Sequence, residues 1–204
     1  MSFRKEYTQL QRSLNGFYQG RQLINSHTRI NKGVLYVPGV GKMEATVVDF
    51  DKDSILKILY EDVLRKHIIK RVKFDKRFIL EDAFNAIKSE IPYNLKYVED
   101  VQKQYDGKKV SLGFFIGQNK GGVCRHQALA SAAVLERMVD EKLLAGTARI
   151  NWNRHPCLGG HAWAEYRTSQ GEVVILDIAQ DCCGYPKSGK WGYIAENQPS
   201  KFDL

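Results

Sequence analysis

The spacing of apolar positions changes several times along the chain, and each change predicts a different element. Leu10, Leu14, Phe17 and Leu23 recur at near-helical intervals within residues 6–25, with arginines and glutamines between them, which predicts a helix packed on the core. From Gly33 the period shortens. Residues 34–37, 42–50 and 55–60 read as two or three strands, separated by the turn Pro38-Gly39 and by the polar run 51–54. Leu80, Ala83, Phe84, Ile87 and Ile91 then share one helical face, closed by Pro92, and a more polar helix is expected over 97–105, ended by Asp106-Gly107. After Gly121-Gly122 the helical period returns through Ala128, Ala132, Leu135 and Met138, which predicts a buried helix with Cys124 in its first turn. Residues 147–152 are expected as a strand. Residues 159–166 and 172–177 alternate as two more, joined at Thr168-Ser169-Gln170-Gly171 into a hairpin. The tail, 185–204, reads as a loop-rich cover around Trp191 and Tyr193.

Composition is that of an ordinary globular protein, 204 residues with 43% hydrophobic and 26% charged, and the predicted helices and strands make an α+β fold the expectation. This length accommodates one sizeable domain, or a core with an appendage. The textures divide it into an N-terminal helix plus a small β-rich extension, 1–77, and a second unit, 78–204. The three-strand stretch resembles part of an SH3-like barrel, which implies a protein or peptide partner there; the alternative is a sheet that buttresses the second unit. No apolar run of secretory or membrane-spanning length follows Met1. A cytoplasmic protein with no membrane partner is expected, with signal-independent secretion left open.

A net charge of +8 favours acidic partners. The most basic run is 65–77, with Arg65, Lys66, Lys70, Arg71, Lys73, Lys76 and Arg77 against Asp75. Val63, Leu64, Ile68, Ile69, Val72 and Phe74 interleave with these charges, so a solvated face is expected; a nucleic-acid-associated protein is the competing reading. Cys124, Cys157, Cys182 and Cys183 form no disulfide framework, so reduced thiols are expected. His155, Cys157 and Cys182-Cys183 match no zinc-ligand spacing, and neither a metal nor an organic cofactor is expected.

A thiol at a helix N-terminus meets unpaired N–H groups and the positive end of the macrodipole, which stabilise a thiolate. Gly121 and Gly122 allow a sharp turn there and leave room for a substrate. In the hairpin, a loop over 168–170 sets His161 directly across from Asp177 on one face of the sheet. Cys124, His161 and Asp177 then supply nucleophile, base and orienter.

These residues resemble a known family. Gly-Val-Cys-Arg-His at a helix start, His-Ala-Trp-Ala-Glu on one strand and Leu-Asp-Ile-Ala-Gln on the next are similar to the transglutaminase-like superfamily, over residues 80–181 or thereabouts. Ile178 stands where that family often has proline. The resemblance implies a papain-like core, a Cys-His-Asp triad and acyl transfer on protein or peptide amides. It does not choose among transglutamination, deamidation, proteolysis and deglycosylation. A binding module with an unproductive triad is the other class it leaves open.

Further residues complete the expected site. The N–H of Cys124 and the side chain of Gln118, with Asn119 as competitor, are candidate oxyanion donors. Trp163 and Glu165 share the face of His161, as cleft wall or shield and as substrate contact, while Ala162, Ala164 and Tyr166 face the other layer. Asp181 is the substitute orienter. His126, two residues past Cys124, points away from the thiol, and Arg125 adds positive potential or is simply exposed.

Overall fold

The computed structural model describes residues 16–18, 20–24, 28–36, 44–71, 73–76, 78–105, 108–155 and 159–186. The expected tail around Trp191 and Tyr193, Cys157, and most of the helix expected over 6–25 lie outside them. The described part of that stretch is not helical: Phe17–Tyr18 (β1) pairs antiparallel with Arg21–Gln22 (β2).

Val34–Tyr36 (β3) and Ala45–Val48 (β4) pair antiparallel as their alternation predicts. The third strand of this sheet is Lys109–Ser111 (β5), which lies parallel to β4, so the expected three-strand meander does not form. Residues 55–60 belong instead to a helix, Ser54–Arg71 (α1). A short apolar run does not distinguish strand from buried helix by period alone, and here the cap decides. Asp53 Oδ1 accepts the N–H groups of Ile55 and Leu56, both at 3.1 Å, while Oδ2 accepts the N–H of Gly113 at 2.8 Å and the Ser111 hydroxyl. A Cβ at Gly113 would lie 2.4 Å from Asp53 Oδ1, so this approach requires glycine.

Ile79–Glu90 (α2) and Leu95–Gln104 (α3) follow close to expectation, with Asn94 Oδ1 capping α3 through the Tyr97 N–H at 3.0 Å. Cys124–Asp140 (α4) is the central element, its small residues Ala128, Ala130, Ala132 and Ala133 all buried. Small side chains let it pack against both a sheet and α2. That sheet is antiparallel, in the order Gly146–His155 (β6), Gly159–Thr168 (β7), Val173–Asp177 (β8) and Cys182–Gly184 (β9). Ala162, Ala164 and Tyr166 face α4, whereas Trp163 joins Ile175 and Cys182 in a separate cluster on the opposite face.

The architecture is mixed α+β. Its main apolar cluster runs without a break from Ile30, through Leu56 and Val63 of α1 and Ile79 and Ile87 of α2, to Ile178. The boundary expected at residue 77 therefore falls inside a shared core, and β4 is hydrogen-bonded to β5 across it. Among the described residues, no helix is long and apolar enough to cross a membrane.

Candidate active site

Three segments converge where α4 begins. The approach to the helix is fastened to the turn after α2: the Gly122 N–H donates to the Pro92 carbonyl at 3.0 Å, the Asn94 N–H donates to the Gly122 carbonyl at 2.9 Å, and Gln127 Nε2 donates to the Ile91 carbonyl at 2.9 Å. Gly121 has φ +139°, and a Cβ there would lie 2.4 Å from the Pro92 oxygen; one at Gly122 would lie 2.6 Å from the His126 Cβ. The glycine pair is thus required by chain turn and by close packing of the neighbouring segments.

Cys124 is the first residue of α4, partly buried, and its side chain is hydrogen-bonded to that of His161. Burial pushes its thiol up, but the hydrogen bond and charge of His161, the backbone N–H of Ala162 and the Arg125 guanidinium together hold it below its ordinary value. On its other side His161 meets Asp177: Nε2 lies 2.6 Å from Asp177 Oδ2, which leaves Nδ1 for the thiol. Asp177 is buried and its Oδ1 accepts the Gln180 N–H at 3.2 Å. Burial pulls His161 down, yet Asp177 and then Cys124 raise it to about 9. The arrangement favours a thiolate beside an imidazolium.

The register that brings His161 to Asp177 differs from the expected one. Thr168 closes the hairpin on Glu172, and Ser169–Gly171 form the loop, with Gly171 at φ +85°. Arg167 pairs with Val173 and Ala164 with Leu176, so continuation of the ladder sets Asp177 across from Trp163 and diagonal to His161. A displacement of two residues keeps every side chain on its face. The diagonal neighbour remains within reach of a carboxylate and an imidazole.

Trp163 is fully buried and lies beside His161, ring centroids 6.0 Å apart at 27°. It shields the His–Asp pair and is not the wall of an open cleft. Glu165, expected as a substrate contact, is buried and saturated: it accepts from Arg149 Nε at 2.7 Å, Asn151 Nδ2 at 2.9 Å and Trp163 Nε1 at 3.2 Å. Its role is to neutralise Arg149 within the sheet. Gln118 stands exposed on the turn before α4 and makes no hydrogen bond to Cys124 or His161; Asn119 beside it is exposed at φ 60°. Asp181 is exposed and paired with Lys88 at 2.7 Å, away from the imidazole. The N–H of Cys124, in the first turn of α4, has no acceptor within the helix, which is what a backbone oxyanion donor requires.

A second polar cluster braces the same turn from below. Glu44, fully buried just ahead of β4, accepts from Arg125 Nε at 2.9 Å, Arg125 Nη2 at 2.8 and 3.1 Å, His126 at 2.8 Å and Gln102 at 2.9 Å. Burial raises its carboxyl, and His126, Arg125 and Gln102 outweigh that and hold it down to about 2. His126 points away from Cys124 as expected and stacks on Phe115 with centroids 3.8 Å apart. Its Nδ1 accepts the Val123 N–H at 3.1 Å, so Nε2 carries the proton donated to Glu44 and the ring is neutral. Burial and then the Arg125 charge push it down to about 4. Arg125 is not simply exposed but is the partner of Glu44, and its charge still reaches the Cys124 thiol, the positive potential expected of it. The sequence carries one signal of this cluster, a glutamate leading into the apolar run Ala45-Thr46-Val47-Val48, because a buried carboxylate needs a partner. Nothing in the sequence names that partner.

A cavity of about 480 Å³ lined by Arg29, Glu136, Asp140, Arg149 and Arg167 opens near the C-terminal end of α4, at the other end of the helix from the thiol. Comparison with protein-family models, with curated proteins and with solved structures finds no match.

Proposed function

We propose that the protein is a cysteine-dependent acyl-transfer enzyme acting on protein or peptide amides, built on a papain-like, transglutaminase-like core. The observation that carries this reading is the continuous hydrogen-bonded line from Cys124 through His161 to the buried Asp177. In the reaction, the Cys124 thiolate attacks the carbonyl carbon of a glutamine side chain or a peptide bond, and a C–S bond forms. The resulting oxyanion is met by the Cys124 N–H. Its collapse breaks the C–N bond while His161 gives its proton to the departing ammonia or amine. Water or a second amine, deprotonated by His161, then attacks the thioester and restores the thiol. Asp177 holds the imidazole in position throughout and stabilises its charged form. These steps draw on no cofactor.

The test is a product analysis. Glutamine-containing peptides are incubated with the protein, with and without a primary amine, and examined by mass spectrometry for deamidation, amine incorporation and backbone cleavage. The reading expects one of these products, absent with Cys124→Ala. A peptide set left unchanged by the parent protein, together with a Cys124 no more reactive than an ordinary thiol, contradicts it.

A further inference from the structure

Helix α1 is apolar on two sides. Leu56, Leu59, Tyr60 and Val63 face the core, while on the outer side Ile55, Ile58, Ile68 and Ile69 are 38, 59, 46 and 69% exposed. The outer face of a surface helix is ordinarily polar, and large aliphatic side chains gathered on one exposed helix mark a contact surface.

The order of residues on that face indicates what the contact is. At about 100° per residue, Ile58, Asp62, Arg65 and Ile69 fall on one stripe along roughly three turns. Their spacing is the same in both directions, and reversing the order apolar, acid, base, apolar exchanges acid for base. A two-fold axis passing between Val63 and Leu64 would lay an identical helix antiparallel on this one. Ile58 would then meet Ile69 of the second copy, and Asp62 would meet Arg65 of the second copy, each contact made twice. Such reciprocity is the requirement of an isologous interface. Within one chain, Asp62 is already paired with Arg65 and, at 2.6 Å, with Lys66, so both charges are held along the stripe. An anionic bilayer or a nucleic acid fits this face less well, since Asp62 lies in the stripe and exposed Glu61 beside it.

We propose that α1 docks antiparallel on α1 of a second copy of this chain, forming a two-fold dimer. One helix pair buries less than a standard interface, so the dimer is weak and concentration-dependent.

Sedimentation velocity from about 1 to 200 µM tests this, that range covering weak interfaces. A reversible monomer–dimer equilibrium is expected. Asp62→Arg alone, or Arg65→Asp alone, sets like charges across the seam and raises the dissociation constant at least about tenfold. Combining both changes in one chain, or mixing the two single variants in equal amounts, places opposite charges together again and restores the dimer. These positions are exposed or at the surface, and circular dichroism verifies that each variant is folded. A monomer at every concentration overturns the proposal, as does a dimer indifferent to both single changes or a mixture that fails to recover. Binding to vesicles rich in phosphatidylglycerol, lost with Ile58→Asp while the chain stays monomeric, assigns the face to lipid and likewise overturns it.

Discussion

Glu44→Gln is the perturbation that most sharply tests how the first turn of α4 is held. The native carboxyl is held at about 2 against an ordinary 4.5, and the group is fully buried. That shift corresponds to about 3 kcal/mol of preference for the ionised form. Glutamine keeps one oxygen, sufficient for His126 or for one Arg125 N–H, but it removes the charge and leaves a buried guanidinium without its partner. Breaking a buried pair in this way costs about 3–5 kcal/mol. For a chain of this length, that lowers the thermal midpoint by roughly 6–20 °C. Calorimetry at neutral pH is the assay. The sign with pH is fixed by linkage: a depressed carboxyl contributes stability above its unfolded value, lost as pH falls from 4.5 through about 2. The gap between parent and variant therefore narrows under strong acid. The same substitution leaves the Arg125 charge uncompensated beside Cys124, so the thiol falls further and alkylates faster at acidic pH, in a protein that is less stable. A midpoint within about 2 °C of the parent at neutral pH, less than 1 kcal/mol in a chain of this size, would refute the reasoning.

Other substitutions separate the roles assigned above. Asp177→Asn lets His161 fall from about 9 towards 6.5. A raised histidine contributes stability below pH 6.5 that is lost as pH rises through about 9, so the parent should weaken across that window and the variant stay flatter, by chemical denaturation at stepped pH. Trp163→Ala removes a fully buried indole and costs about 3–5 kcal/mol, while Trp163→Phe, which keeps a ring beside His161, costs less in the same unfolding assay. Glu165→Gln removes a buried charge that Arg149 donates to and destabilises the sheet by about 3–5 kcal/mol, yet leaves the pH profile of Cys124 alkylation where it was, because Glu165 lies outside the relay.

The parts of this site that were legible in the sequence rest on local rules. A glycine pair before a helical period gives the start of α4 at Cys124, and two-residue alternation gives the two faces of β7. Asp177 was found through parity and not through register, since the loop lies one residue further on than expected and the ladder slips by two. The β-branched and leucine-rich run at 55–60 fits strand and helix equally by period; the Asp53 cap on Ile55 and Leu56 separates them, and that cap is itself fixed by long-range hydrogen bonds to Ser111 and Gly113. Glu44 escaped for the same reason: its partners stand at 102, 125 and 126, and no spacing rule connects them. Glu165 was placed on the correct face, but burial, which decides between substrate contact and internal counter-charge, is a property of what packs over that face.

The central claim is that His161 makes Cys124 a thiolate. Intact-protein mass spectrometry and peptide mapping after brief exposure to limiting iodoacetamide, at steps from about pH 4 to 9, measure it on the parent and on His161→Ala, since alkylation follows the thiolate fraction. Cys124 should be labelled well before Cys157, Cys182 and Cys183 at pH values where ordinary thiols are protonated, and should lose that lead without His161. Equal labelling of all four thiols, or a Cys124 lead that survives His161→Ala, contradicts the account.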